Sequence, residues 1–279
     1  MSDKNSAIGV FDSGLGGLTA IKQLRKILPD ENFIYFGDTG RVPYGTRSFE
    51  TIKQYAKDDL RFLSGFDIKA AVVACGTVSA IAIDDLEKDF DLPIVGAIKP
   101  ACYAAARATS TSKIAVFATP ATIGNGAFEK NLSFIDSSLQ VFPVACPMFV
   151  PLIEAGYIDQ NCKVTRLIAA EYIEKLLGTG VDTLILGCTH YPIIASLIRS
   201  VASEMLGTEI CIIDSGYEAA LKTKELLYKA NLLADKSNDV KDNCENTRYF
   251  VSDETQNFKK IASMFLGEPA ENVTKVSIG

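Results

Sequence analysis

Two cysteines follow predicted buried strands, and their neighbours make them the strongest candidates for chemistry. Cys188 follows the apolar run TLILG and lies two residues before His190, the only histidine in the chain. Cys75 ends the apolar run AAVVAC and lies two residues before Thr77. A thiol beside an imidazole, or at the start of a helix, is favoured as the thiolate that can take up a proton. Two cysteines in matching surroundings indicate a pair that acts together.

Two thiols that approach one carbon atom from opposite sides suit the inversion of a stereocentre. One thiolate would remove a proton from an acidic carbon, and the other thiol would deliver a proton to the opposite face. The sequence has no fingerprint for a nicotinamide, flavin or pyridoxal cofactor, so the expected reaction uses none. One histidine and the absence of a CxxC pair also argue against a metal site.

Two further segments carry polar groups where strands are predicted to end. The turn DSGLGG, residues 12–17, would direct free N–H groups at an anion such as a carboxylate. It equally suits a plain strand–helix turn in which Asp12 or Ser13 caps the helix. Residues 37–48 contain a Tyr-Gly pair that could reach a ligand at the strand ends, although Asp, Gly and Pro are also typical of ordinary loops.

These motifs lie within an alternation of short apolar runs and amphipathic stretches. Such alternation is typical of parallel sheets with crossover helices, and strands that are apolar on both sides suit sheets covered on both faces. In a parallel sheet, ligands bind at the carboxyl ends of the strands, where the candidate residues lie. The predicted order begins with strand 7–11, helix 18–28, strand 32–38, helix 48–66 and strand 70–75.

The pattern then restarts in the second half of the chain. Residues 113–128 resemble residues 7–21, and the strand before Cys188 resembles the strand before Cys75, about a hundred residues later in both cases. We therefore predict an α/β fold of two similar domains, each a mainly parallel sheet flanked by helices, with the active site in the cleft between them. The predicted limits are 1–98 plus 214–279 for the first domain and 99–213 for the second.

Composition excludes several classes of partner. The formal net charge is −6 and there is no run of Lys and Arg, which argues against binding to nucleic acid or an anionic membrane. No apolar run approaches the length of about 18 residues that spans a membrane. The start of the chain lacks the features of a secretory signal, and seven cysteines without a CxxC pair are typical of free thiols in a reducing cytoplasm. The polar stretch 236–246 is predicted to be a surface loop or hairpin connection.

Five segments together resemble the glutamate racemase family, in order and over nearly the whole chain. They are IGVFDSGLGGLTAI, DTGRVPYG, VVACGTVSA, VACPMFVPLIEAG and LILGCTHYP. The resemblance implies interconversion of L- and D-glutamate without a cofactor, in a cleft between two similar α/β domains, and a supply of D-glutamate for peptidoglycan. Family members often form dimers, so a homodimer is also expected.

The resemblance also implies roles for individual residues. Cys75 and Cys188 would be the two catalytic acid/bases, with Asp12 assisting the first and His190 the second. The acidic residues that match supporting positions in the family are Asp38 and Glu154. The residues that would line the substrate are Asp12, Ser13, Tyr44, Gly45, Gly76, Thr77, Thr119, Thr122, Thr189 and His190.

One position departs from the family pattern. The residue after the first cysteine is usually Asn in the family, and here it is Gly76. An asparagine amide can hydrogen-bond the amino-acid head group, whereas glycine offers only backbone groups. The sequence alone therefore suggests a weaker hold on the substrate, which an asparagine at this position would restore.

Three alternatives stay open on the residues. An aspartate racemase or another amino-acid racemase of the same superfamily is the nearest, although its second motif typically reads Cys-Thr-Glu where this chain has Cys-Thr-His. A non-catalytic amino-acid binder would tolerate the loss of either cysteine. A dithiol redox sensor would join Cys75 and Cys188 in a reversible disulfide, which requires the thiols to lie close enough to bond.

We expect Cys75→Ala and Cys188→Ala each to abolish conversion in both directions, because inversion needs one group that takes a proton and another that gives one. Polarimetry of each enantiomer measures the conversion, and far-UV circular dichroism checks the fold. Cys102→Ala, which removes a cysteine without a polar partner pattern, is the control and should keep its activity. Substantial racemisation by either single variant would contradict the paired-thiol mechanism.

Overall fold

The computed structural model describes residues 3–235, 246–254, 258–270 and 273–278. The polar connection predicted at 236–246 lies outside these residues except for its last position, as does Cys244. The described strands are β1 (Ala7–Asp12), β2 (Phe33–Gly37), β3 (Ile68–Val73), β4 (Ile94–Gly96), β5 (Lys113–Ala118), β6 (Gln140–Ala145), β7 (Thr183–Leu186), β8 (Cys211–Asp214), β9 (Thr247–Val251) and β10 (Val273–Lys275).

The helices follow the predicted amphipathic stretches. In the second helix, for example, Ser48 caps the first turn by accepting a 3.2 Å hydrogen bond from the backbone N–H of Thr51. The α-helices are α1 (Leu18–Ile27), α2 (Phe49–Leu63), α3 (Gly76–Ile81), α4 (Ile83–Asp89), α5 (Ile98–Ala108), α6 (Pro120–Asn125), α7 (Ala127–Ile135), α8 (Phe149–Glu154), α9 (Lys163–Glu174), α10 (Ala195–Leu206), α11 (Ser215–Lys229) and α12 (Phe258–Leu266), with 3₁₀ turns at Tyr44–Thr46 and Tyr191–Ile194. No helix of the described residues is both long and apolar enough to cross a membrane.

The described strands form two sheets, and every strand pair in them is parallel. The first sheet has the order β10-β9-β2-β1-β3-β4, and the second has the order β6-β5-β7-β8. The run β2-β1-β3-β4 has the same arrangement as β6-β5-β7-β8, which is the internal similarity that the repeated motifs predicted. The predicted α/β fold of two mainly parallel sheets flanked by helices is therefore confirmed.

Burial explains why the central strands are apolar along their whole length. Every residue of β1, β2 and β3 is buried, as expected for strands covered by helices on both faces. The edge strand β6 is mostly exposed or half-buried, and it carries Gln140 and Pro143. A proline is tolerated there because an edge strand leaves some N–H groups without a ladder partner.

The two predicted cysteine strands end earlier than the apolar runs suggested. The β3 strand ends at Val73, and Cys75 occupies the cap position of α3. The β7 strand ends at Leu186, and Cys188 is followed by a 3₁₀ turn rather than an α-helix. Pairing with the neighbouring strand stops at these points, so both cysteines lie in the turns just beyond the carboxyl ends of the strands.

Helices and the end of the chain connect the two sheets. The α11 helix follows the last strand of the second sheet and packs against both α1 and α5. After it the chain returns to the first sheet, where β9 pairs with β2 and α12 packs against α1. The exact limits of the two domains stay a prediction.

A buried ion pair fixes this return of the chain. Lys69 in β3 is fully buried, and its Nζ lies 2.5 Å from Oε2 of Glu31, which is also buried. The same ammonium donates hydrogen bonds to the carbonyl oxygens of Lys4 at 2.6 Å and Leu232 at 2.9 Å. Three partners satisfy the buried charge. They tie the start of the chain and the segment after α11 to strand β3.

We expect Lys69→Met to lower the free energy of unfolding by about 3–5 kcal/mol, because it leaves the Glu31 carboxylate buried without its cation. Urea unfolding measures the change. The matched control is Lys53→Met, whose ion pair with Asp85 is exposed and contributes about 0–1 kcal/mol. The double variant Lys69→Met/Glu31→Leu should recover much of the loss, and equal losses in the single variant and the control would contradict the analysis.

Candidate functional site

The two cysteines occupy equivalent places in the two sheets, in the turns after β3 and β7. Both thiols are almost fully buried, with exposed fractions of 5% for Cys75 and 7% for Cys188. They lie close enough that negative charge on Cys188 raises the pKa of Cys75. Cys75 Sγ also donates a 3.4 Å hydrogen bond to Oγ of Ser13 in the turn after β1. The paired placement predicted for the thiols thus exists at the meeting point of the sheets.

Burial keeps the Cys75 side protonated. Removal from water, together with the nearby charge of Asp12, raises the pKa of Cys75 to about 12, while the contact with Ser13 opposes the rise. Burial also raises the pKa of Asp12, against the positive charge of His190 and N–H groups of the turn that lower it. Cys75 is therefore a thiol that can give a proton.

The Cys188 side differs in charge, because a protonated histidine lies beside this thiol. Nδ1 of His190 lies 3.9 Å from Sγ of Cys188, and Nε2 lies 2.9 Å from Oε1 of Glu154 at the end of α8. Burial alone would lower the pKa of His190, but the hydrogen bonds to Cys188 and Glu154 outweigh it and raise the pKa to about 10. The imidazole is therefore positively charged at neutral pH, and its charge faces the sulfur.

Three threonine hydroxyls meet across the cleft. Thr77, in α3, lies 3.1 Å from the hydroxyl of Thr119 and 3.2 Å from that of Thr122, which are themselves 2.9 Å apart. Thr119 follows β5 and caps α6, so the cluster joins a turn of the first sheet to a turn of the second. Hydroxyl groups that can rotate between partners are suited to donate to a carboxylate.

The segment after Cys188 is also bonded to the first sheet's turns. Thr189 donates a 3.4 Å hydrogen bond to Oδ1 of Asp12, and its carbonyl oxygen accepts a 2.8 Å hydrogen bond from the hydroxyl of Thr19 in α1. The other carboxylate oxygen of Asp12 accepts from the backbone N–H of Gly14 at 3.0 Å. The structure thus brings Asp12, Thr189 and both thiols together in one site.

Asp38 and Tyr44 belong to a buried hydrogen-bond network. Asp38 is fully buried, and it accepts hydrogen bonds from Tyr44, from Arg41 at 2.6 Å and from Ser252 at 2.7 Å. With both carboxylate oxygens bonded, Asp38 holds the loop of residues 38–47 in place. Its expected supporting role stays a prediction, and the hydroxyl of Tyr44 is bonded within this network.

Gly45 reaches the cleft from the same loop. A Cβ at Gly45 would lie 3.9 Å from Cβ of Thr119, so the loop contacts the threonine cluster of the second sheet. The position of Gly45 depends on the neighbouring Tyr44, whose hydroxyl is anchored by carboxylates. The expected lining role of Gly45 therefore stays a prediction with a structural basis.

The sequence analysis did not identify Asp59, which completes the buried network. Its side chain is fully buried in α2, and it accepts from the Tyr44 hydroxyl at 3.0 Å and from Arg41 at 2.8 Å. Burial, followed by the charge of Asp38, raises the pKa of Asp59 well above its ordinary value. A signal was present, because an acidic residue at this position falls on the apolar face that α2 buries with Ala56, Leu60 and Leu63.

The environment of Gly76 corrects one expectation from the sequence. A methyl group there would place its carbon 2.1 Å from the carbonyl oxygen of Gly187, which is far inside van der Waals contact. An asparagine at this position could not enter without moving the backbone at the end of β7. Gly76→Asn is therefore expected to disturb the site rather than to restore a substrate contact.

The chain is similar to known amino-acid racemases over nearly its whole length. Residues 18–222 match the family model described as Asp/Glu/Hydantoin racemase. The chain is 43% identical to glutamate racemase of Chlorobaculum parvum, with 98% of this chain and 97% of that one covered, and 43% identical to glutamate racemase of Geobacter metallireducens with the same coverage. The crystal structure of glutamate racemase from Francisella tularensis in complex with D-glutamate has a TM-score of 0.87 at 34% identity and 98% coverage of both chains.

Among the described residues, no group of three or more His, Cys, Asp or Glu side chains could hold a metal ion. The charged groups of the site are Asp12, His190 and Glu154. His190 contacts Cys188 and Glu154, and the charge of Asp12 acts on Cys75 and His190. The arrangement can hold one thiol protonated and place an imidazolium beside the second.

We expect Glu154→Gln to lower the pKa of His190 from about 10, because it removes a negative charge and a hydrogen-bond acceptor that favour the imidazolium. NMR titration reports the value directly, since the chain has one histidine. Glu204→Gln, which removes a surface carboxylate bonded to Arg166, is the control and should leave the titration unchanged. Equal titration curves for the Glu154 variant and the unaltered protein would contradict this account of the site.

Proposed function

The chain belongs to the Asp/Glu/hydantoin racemase family, and from this premise we propose that it interconverts L- and D-glutamate without a cofactor. The observation that carries the proposal is the pair of buried thiols at equivalent strand ends of two similar sheets. Relatives at 43% identity over nearly the full chain are named glutamate racemase, and the structural neighbour from Francisella tularensis holds D-glutamate.

The different surroundings of the two thiols support different roles for them in the reaction. Cys188 beside the His190 imidazolium would act as the thiolate that removes the α-proton, and the electron pair would stay on the substrate carbon and its carboxylate. Cys75, which burial keeps protonated, would give its proton to the opposite face of that carbon. The product is the mirror image, and the enzyme is left with the thiolate at Cys75, ready for the reverse direction.

A bound amino acid would change the electrostatics of the Cys75 side. The charge of Asp12 raises the pKa of Cys75, and a substrate ammonium group close to Asp12 would neutralise that effect. The substrate thus would ease the ionisation of Cys75 when this thiol has to act as the base. Asp12 would assist catalysis by holding the ammonium group between the two sulfurs.

The hydroxyl groups of the cleft would bind the two carboxylates of the substrate. The cluster of Thr77, Thr119 and Thr122 presents three hydroxyls from both sheets at one place, and Thr189 adds a fourth beside Asp12. A hydrogen bond to a carboxylate is stronger than one between neutral groups, so a dicarboxylate would replace the threonine–threonine bonds favourably.

The proposed role in the cell is the supply of D-glutamate for peptidoglycan, in the cytoplasm. Every described cysteine is a free thiol, which fits a reducing compartment. The two-cysteine mechanism needs such a compartment, because a disulfide between Cys75 and Cys188 would remove both acid/base groups. A homodimer stays part of the proposal on the strength of the family resemblance.

We expect the purified protein, without added cofactor, to abolish the optical activity of L-glutamate in deuterated water and to place deuterium at its α-carbon. Circular dichroism follows the rotation and NMR follows the α-deuteration. The same assay with L-aspartate tests the nearest alternative, and we expect much slower conversion. Glutamate that keeps both its rotation and its α-proton would refute the proposal, and faster conversion of aspartate would favour the other racemase.

A further inference from the structure

The backbones of the two sheets' turns touch beside the catalytic cysteines. The carbonyl oxygen of Gly187 lies where a side chain on Gly76 would begin, 2.1 Å from the place of its Cβ. Gly76 directly follows Cys75, and Gly187 directly precedes Cys188. The contact therefore joins the two catalytic turns directly, with no side chain between them.

Gly187 cannot retreat to make room for a side chain. Its backbone N–H donates a 2.8 Å hydrogen bond to the carbonyl oxygen of Phe117, in the neighbouring strand β5. A Cβ on Gly187 itself would lie 2.8 Å from the ring of Phe128, which is buried, and 3.1 Å from Ala118. The turn that carries Cys188 is therefore confined by its own sheet on one side and by Gly76 on the other.

A second glycine of the first sheet contacts the other flank of Cys188. A Cβ on Gly16, in the turn between β1 and α1, would lie 2.2 Å from Oγ1 of Thr189 and 2.4 Å from Nδ1 of His190. That same Nδ1 is the atom that faces Sγ of Cys188 at 3.9 Å. The turn DSGLGG thus holds the residues that follow Cys188, a role that its sequence did not reveal.

Backbone conformation does not explain these two glycines. The glycines with positive φ among the described residues are at positions 126, 156, 178, 180, 207 and 267, which do not include 16 or 76. Gly76 is the first residue of α3, and alanine has a higher helix propensity than glycine. In this structure both glycines lie where a Cβ would clash with the turn that carries Cys188.

We propose that Gly16 and Gly76 are positioning residues that set the distance between the two catalytic thiols. They seat residues 187–190 against the first sheet's turns from both flanks of Cys188, and so fix both Sγ atoms relative to one substrate carbon. The inference rests on the proposed racemase function. Its physical basis is that a misplacement of about 1 Å in reacting groups can cost about 10²-fold in rate.

The test compares Gly76→Ala and Gly16→Ala with Gly124→Ala, a helical control whose added methyl group would meet no atom within 4 Å. We expect kcat for racemisation to fall about 10²-fold in Gly76→Ala, where a backbone must move. A smaller fall is expected in Gly16→Ala, where the side chains of Thr189 and His190 can turn aside. Gly124→Ala should retain the kcat of the unaltered enzyme.

The decisive readout is the ratio of deuterium exchange with retention to inversion in deuterated water. A wider gap between the thiols should let the first thiol return a deuteron to the face it deprotonated, so the ratio should rise in both cleft variants. A merely structural defect would lower exchange and inversion together and leave the ratio unchanged. An unchanged ratio, or unchanged kcat in Gly76→Ala, would overturn the proposal.

A second measurement does not depend on racemase activity. Dibromobimane joins two thiols only when they lie close together, and peptide mass spectrometry identifies the bridged residues. We expect a Cys75–Cys188 bridge in the unaltered protein and in Gly124→Ala, and single modifications in Gly76→Ala. An unaltered protein that forms the bridge but leaves glutamate unchanged would refute the proposed function alone. Equal bridging in Gly76→Ala and the control, or no bridge in the unaltered protein, would refute the spacing role.

Discussion

The site depends on one constraint, which is that two separate sheets must end at the same point. The turns after β3 and β7 carry the two thiols, and they meet where the carbonyl oxygen of Gly187 fills the space beside Gly76. Neither sheet alone could place two sulfurs around one carbon. The shared strand order of the sheets makes the meeting nearly symmetric, because each contributes the carboxyl ends of its central strands.

The two thiols have equivalent places in the backbone but neighbours of opposite charge. The first thiol faces the acidic Asp12 and is held as a neutral thiol by burial, whereas the second faces the imidazolium of His190. Burial of the two thiols enlarges both effects, since charges interact more strongly away from water. The fold thus supplies two equivalent positions, and a few neighbouring side chains give them different electrostatic surroundings.

Groups outside the cleft keep its loops in place. Asp38 and Asp59 are both fully buried and share the cation of Arg41 and the hydroxyl of Tyr44, which orders the loop that presents Gly45. Buried charges are costly unless they are paired and hydrogen-bonded, and these carboxylates are. The same rule applies to Lys69 in strand β3 of the first sheet, whose partners tie distant parts of the chain together.

The sequence by itself determined the alternation of strands and helices, the two similar halves, and the positions of Cys75, Cys188 and His190 at strand ends. These are local properties, because periodicity and turn chemistry depend on residues close together in the chain. Tertiary structure alone decided that Gly76 faces Gly187, that Gly16 faces Thr189 and His190, and that Asp38 shares a buried network with Asp59. Such contacts join residues far apart in sequence, and no local pattern encodes the distance between two packed sheets.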